Sequence, residues 1–213
     1  MTGILQTEEL DNVLILTLNR PTRRNALNFE MLRALSDSLQ SASRFQGLIL
    51  RGAGRAFCAG ADLQDISTTD SARQERVLKY LDKLVSQLNF VIELLVELTV
   101  PTVTLLHGNV AGGGFGLALA AKHRIAATNL RIHAGPGLLG LVPAGGCTYI
   151  LPRLLGDSTA RKLLLSNQQI DAQEAVQLGI VDEIAPLDWL QRSSREFIDW
   201  ISNSKAFQSS RRL

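Results

Sequence analysis

The 213-residue chain carries 22 Lys and Arg against 20 Asp and Glu, a formal net charge of +2, and 46% of its residues are hydrophobic. That length holds one substantial core, and a nearly balanced charge with no dense basic tract argues against nucleic acid as a partner. Cys58 and Cys147 stand apart without CxxC or Cys/His spacing, which implies reduced thiols in a cytoplasmic setting and no metal site; no apolar run reaches membrane-spanning length, and no basic region followed by an apolar core marks a signal peptide.

Val13 to Asn19 is almost continuously apolar between Asp11-Asn12 and Arg20-Pro21, and reads as a strand covered on both faces. Asn28 fits the N-cap of a helix with Met31, Leu32, Leu35 and Leu39 spaced at three and four. Gly47 to Arg51 reads as a second strand, followed by a turn-rich link through Phe57-Cys58 to Leu63. From Ser71 to about Leu98 the spacing predicts one long helix or two joined ones, stopped at Pro101. Val103 to Leu106 is the next strand, Arg124 to Ala127 another, and Arg131 to Pro143 reads as loop. Helices are expected near Gly145 to Leu155, from Ser158 to about Leu165, and from Asp171 to a closing Gly179. A final amphipathic helix carries Trp189, Phe197 and Trp200, whose apolar surface suits association into a trimer. Strands alternating with helix-length segments make an α/β chain, and the glycine-rich turns at 52–61 and 108–116 read as two strand–turn–helix units of one architecture.

The stretch from Leu105 to Ala121 leads from a strand through Gly112-Gly113-Gly114 into an alanine- and leucine-rich helix. Glycines leave backbone N–H groups uncovered, and at a helix N-terminus those donors face where an anion or a developing negative oxygen could sit. The plain alternative is a turn that lets strand and helix pack closely.

Five pieces carry a family resemblance: Asn19 to Asn28, Arg55 to Leu63, Pro101 to Ala121, Gly140 to Gly156, and Ala172 to Asp182. In this order they make the chain similar to the crotonase superfamily, also called the enoyl-CoA hydratase/isomerase family. The resemblance implies an α/β spiral of ββα units, here a core over 1–186 with a shortened helical C-terminal region over 187–213, assembled as trimers or pairs of trimers. It implies a thioester of coenzyme A or of an acyl carrier protein, with the coenzyme A or phosphopantetheine part of the substrate and no separate cofactor. The acyl oxygen would accept two backbone N–H bonds, from Ala61 and from Gly113, as negative charge builds on it. Arg23 and Arg24 would lie near the coenzyme A phosphates, or else form a solvated loop, and backbone around Ala59 to Ala61 would hold the adenine.

The resemblance also marks two departures. Family hydratases add water with two glutamates, and the matching positions here are Gly116 and Gly137; glycine can neither deprotonate water nor return a proton. Members without both acids include decarboxylases, and Gly145 to Pro152 is similar to decarboxylases of polyketide β-branching. Candidate replacements are His133 and Tyr149 as proton donors, ahead of Arg131, Cys147, Asp62 and Asp65, while His107 reads as a packing residue. Both candidates have a structural alternative as core groups. The implied activity is a lyase- or isomerase-type thioester reaction through an enolate. The rival is a catalytically weak or auxiliary subunit acting with an active homologue.

Overall fold

The computed structural model describes residues 3–62, 71–135, 142–166 and 168–190. A hairpin opens it: β1 (Leu5–Leu10) pairs antiparallel with β2 (Val13–Leu18). Asp11 and Asn12 between them have φ of 48° and 63°, the left-handed geometry of a two-residue hairpin turn that short polar side chains tolerate. The sequence reading took Asp11-Asn12 as a boundary and passed over β1, because four of its six residues are exposed and it lacks an apolar face.

Parallel pairing then runs from β2 to β3 (Gly47–Gly52), to β5 (Thr102–Leu106), to β7 (His123–Ala127), to β10 (Glu183–Ala185). Among the described residues this six-stranded sheet has the order β1-β2-β3-β5-β7-β10. Alternation along β2 divides the core: Leu14, Leu16 and Leu18 face the main cluster, and Ile15 joins Ile49, Val103 and Ile125 on the other face.

A second sheet, in the order β4-β6-β8-β9, is built from β4 (Ala56–Cys58), β6 (Asn109–Ala111), β8 (Arg131–His133) and β9 (Gln169–Asp171). These strands correct three expectations: the link through Phe57, the glycine stretch after His107 and the loop from Arg131 each contribute a strand. With three residues apiece they are too short to show a period in the sequence.

The helices follow the expected pattern. In α1 (Phe29–Gln40) the Asn28 side chain accepts from the Met31 N–H at 2.9 Å, and Met31, Leu32, Leu35 and Leu39 are buried. A single helix of 27 residues, α2 (Ser71–Glu97), lies across α1 and α3 (Gly113–Ala120) and buries Leu84, Leu88, Val91, Ile92 and Leu95. After α4 (Cys147–Leu155) and α5 (Asp157–Leu165), α6 (Ala172–Gln177) is capped by Asp171, which accepts from the Glu174 N–H at 3.0 Å, and Gly179 follows it with φ 78°. The last described element is α7 (Leu187–Leu190). Phe197, Trp200 and the Trp189 side chain, expected on a final amphipathic helix, lie outside the described residues, as do Asp65 and Gly137. No helix among the described residues is long and apolar enough to cross a membrane.

Candidate active site

The two glycine-rich turns meet. After β4, residues 59–62 run beside 24–27: the Ala59 N–H donates to Arg24 O at 3.0 Å, the Leu27 N–H to Gly60 O at 2.7 Å, and the Asp62 N–H to Leu27 O at 2.9 Å. This parallel bridge between Leu27 and Ala61 uses the groups flanking Ala61, so the N–H of Ala61 itself turns to the opposite side. There the junction of β6 and α3 stands so close that a Cβ on Gly60 would lie 2.8 Å from Ala111 O and 3.5 Å from Gly112 Cα. Gly113 begins α3, and its N–H has no intrahelical acceptor. Ala61 and Gly113 both line one cavity of about 390 Å³.

A buried polar network sets the register of this turn. The Arg20 guanidinium donates to Asp62 Oδ2 at 2.7 Å and to Ala26 O at 2.5 Å. Asn25, fully buried with φ 55°, accepts from the Arg20 N–H at 2.8 Å and donates to Ala53 O at 2.9 Å and Ala56 O at 2.7 Å. Asp62, considered from the sequence as a replacement acid, is therefore held by Arg20. The positioning roles of Arg20 and Asn25 were missed. Their signal is an asparagine ahead of an apolar pair, a residue type suited to left-handed backbone.

His133 ends β8, is half-buried and lines the same cavity, so the structure brings it together with Ala61 and Gly113. Gln168 lines it too, and its Nε2 donates to Glu174 Oε1 at 3.0 Å. Cys147 is a third lining residue; burial pushes its thiol up to about 12, as it does that of Cys58, so both stay protonated. Tyr149 is not brought in: it is 60% exposed on α4, with the Arg153 guanidinium 3.4 Å from its ring centroid. Arg131 is exposed and donates to Leu130 O at 2.7 Å. His107 is buried with Nε2 donating to Gly54 O at 3.0 Å, and desolvation holds its pKa below the ordinary 6.5.

Arg23 and Arg24 are exposed on a 3-10 turn, and the bond from Ala59 to Arg24 O places that backbone beside the cavity wall. Gly116 is buried inside α3, where a Cβ would collide with the Gly145 carbonyl oxygen and lie 3.0 Å from Gly145 Cα. No side chain fits there without moving the backbone of residues 145–146. Among the described residues that line the cavity none is Asp or Glu, and no group of three or more His, Cys, Asp or Glu among the described residues could hold a metal ion.

The enoyl-CoA hydratase/isomerase family model matches residues 8–210. The chain is 34% identical over 181 residues to the mitochondrial methylglutaconyl-CoA hydratase of Mus musculus, covering 83% of this chain and 55% of that one. It is 31% identical over 198 residues to the 1,2-epoxyphenylacetyl-CoA isomerase of Escherichia coli K12, covering 92% of this chain and 74% of that one. It superposes on the crystal structure of an enoyl-CoA hydratase from Bacillus anthracis with a TM-score of 0.82 at 29% identity, over 96% of this chain and 78% of that one. With the family model spanning nearly all of it and these relatives aligned over most of it, the chain belongs to the enoyl-CoA hydratase/isomerase family and has the α/β crotonase fold.

Proposed function

We propose that the chain is an enzyme acting on an acyl thioester of coenzyme A or an acyl carrier protein, through an enolate held by the Ala61 and Gly113 N–H groups, without the two-glutamate hydration machinery. The observation that carries this reading is the convergence of those two backbone positions on one largely apolar cavity. When a bond at the α-carbon breaks, its electron pair moves into the thioester carbonyl and the oxygen becomes negative. Two fixed donors, one of them at the positive end of α3, stabilise that charge without rearranging.

Hydration requires a base to activate water. Gly116 and Gly137 stand at the positions read as the family's two glutamates, and at Gly116 the Gly145 backbone takes the space of a side chain. Decarboxylation needs less. The bond from the α-carbon to a carboxylate breaks, CO₂ leaves neutral, and the pair left behind forms the enolate. Apolar walls such as Leu84 and Leu88 solvate the starting carboxylate poorly, which favours its loss. His133 then delivers a proton to the α-carbon and is reprotonated from solvent. Arg23 and Arg24 would meet the phosphates at the cavity mouth.

The test is incubation of the purified chain with enoyl-, malonyl-type and glutaconyl-type CoA thioesters, read by mass spectrometry. Loss of CO₂ from a carboxyacyl thioester is the expected result. Addition of water to enoyl-CoA would overturn the carboxylate-free reading. No change on any thioester, together with tight association with an active homologue in a pull-down, would replace the enzyme by an auxiliary subunit.

A further inference from the structure

Besides the buried Cys147 thiol, the described lining residues of the cavity include two side chains able to hydrogen-bond, His133 and Gln168. They stand on neighbouring segments of one wall. In the second sheet Ala111 of β6 lies opposite His133 of β8, and His133 lies opposite Gln169 of β9. Just past β8, a Cβ on Gly135 would collide with the Ser166 carbonyl oxygen and lie 2.8 Å from Leu164 O, so the chain approaching Gln168 is packed against the continuation of the strand that carries His133. Glu174 orients the glutamine. Its half-buried side chain on α6 accepts from Gln168 Nε2 at 3.0 Å, and its own N–H is bonded to Asp171 Oδ1 at 3.0 Å. An ionised carboxylate only accepts, so the nitrogen end of the Gln168 amide faces Glu174 and the carbonyl oxygen faces away from it. Neither Gln168 Oε1 nor the His133 ring is hydrogen-bonded to a described residue. The wall therefore offers an acceptor near an imidazole that both accepts and donates, and a few polar groups placed this way on an apolar site fix the orientation of a ligand.

We propose that Gln168 is a specificity-determining residue that accepts a hydrogen bond from a hydroxyl on the acyl group, so that the site takes a hydroxylated acyl thioester in preference to its deoxy counterpart. The proposal rests on the reading that seats the thioester oxygen at the Gly113 N–H. Gly113 follows the end of β6 by two residues, and β9 lies two strand spacings from β6, about 10 Å, a gap that a short acyl group and the glutamine side chain span together. A hydroxyl donates to Gln168 Oε1 and keeps lone pairs for the His133 ring. A carboxylate in the same place would set its oxygens against Oε1 with the Glu174 charge behind it; a departing carboxylate is left to the apolar side lined by Leu84 and Leu88.

Calorimetric titration with coenzyme A and with butyryl-, 3-hydroxybutyryl- and 4-hydroxybutyryl-CoA tests this without requiring turnover, and the shared nucleotide and pantetheine cancel between the thioesters. At least one hydroxylated ligand is expected to bind the wild type about fivefold tighter than butyryl-CoA, the effect of one net hydrogen bond. In Gln168→Leu that ratio should fall to about one. Glu174→Gln, whose amide donates as well as accepts, frees Gln168 to turn its nitrogen toward the cavity and is expected to lower the ratio with Gln168 itself in place, which a merely structural glutamine would not show. Equal affinity for butyryl-CoA and both hydroxylated ligands in the wild type, or a preference that survives both variants, overturns the proposal while leaving the thioester reading intact. Failure of coenzyme A and of every thioester to bind overturns the thioester reading, and the proposal falls with it.

Discussion

A glutamate placed at Gly116 would drive its Cβ into the Gly145 carbonyl. Residues 145–146 would have to move, and forced overpacking of this kind costs typically about 1–3 kcal/mol. Gly116→Glu is accordingly expected to lower the urea midpoint and to gain no hydration of enoyl-CoA. A stable variant that hydrates would show that position 116 had room for the acid after all. Cys58 and Cys147 add a second residue-scale effect. Each thiol is pushed from its ordinary 9.0 up to about 12 by burial, so the folded state keeps a proton that the unfolded chain gives up. Their stabilising contribution is complete below pH 9 and is lost progressively as pH rises toward 12. Denaturation of the wild type and of Cys58→Ala at pH 8 and pH 10 should show a smaller alkaline loss in the variant; equal losses would contradict the assignment.

At the scale of elements, two asparagines separate a helix cap from a structural junction. Asn28 gives α1 one side-chain bond, and Asn28→Ala should cost about 1 kcal/mol. Asn25 makes three bonds: it accepts from Arg20 within 20–27, and it donates to Ala53 O before β4 and to Ala56 O on β4, the strand that leads to Ala61. Asn25→Ala strands those partners at about 1–3 kcal/mol for each group left unsatisfied, and should cost well over twice as much in the same urea titration. A reversed order would mean that the junction does not hold the turn. The capped helices and the long strands were legible because their signals are local: Asn28 and Asp171 at the caps, Met31 to Leu39 at helical spacing, and Val13 to Leu18 as an apolar run. β4, β6, β8 and β9 were not, because three-residue strands owe their existence to neighbours far away in the chain. Gly60 against Ala111 is such a contact, and nothing near either residue announces it.

For the whole molecule, the acid side of the stability profile includes His107. Burial lowers its pKa below 6.5, so the unfolded chain takes up a proton first, and its contribution is present above pH 6.5 and lost as pH falls through its folded value. His107→Gln should flatten that part of the acid loss in a pH series of thermal melts; an unchanged slope would contradict it. The family was also legible, because its motifs are contiguous in the chain, and the resemblance that gave it pointed to Ala61 and Gly113, which line one cavity. The exclusion of Tyr149 to the surface and the filling of Gly116 by Gly145 were not, since each depends on how distant turns pack. The account stands on enolate formation at the meeting of those turns. The measurement that tests it most directly is exchange of the α-hydrogens of a saturated acyl-CoA, the product side of the proposed decarboxylation, in deuterated water, followed by mass spectrometry. The wild type should catalyse deuterium uptake, with His133 exchanging the proton. Gly113→Pro, which removes the N–H, should lose it by on the order of 100-fold or more, and Gly113→Ala, which keeps the N–H, should exchange faster than the proline variant. Uptake by a folded Gly113→Pro protein at the wild-type rate would contradict the account.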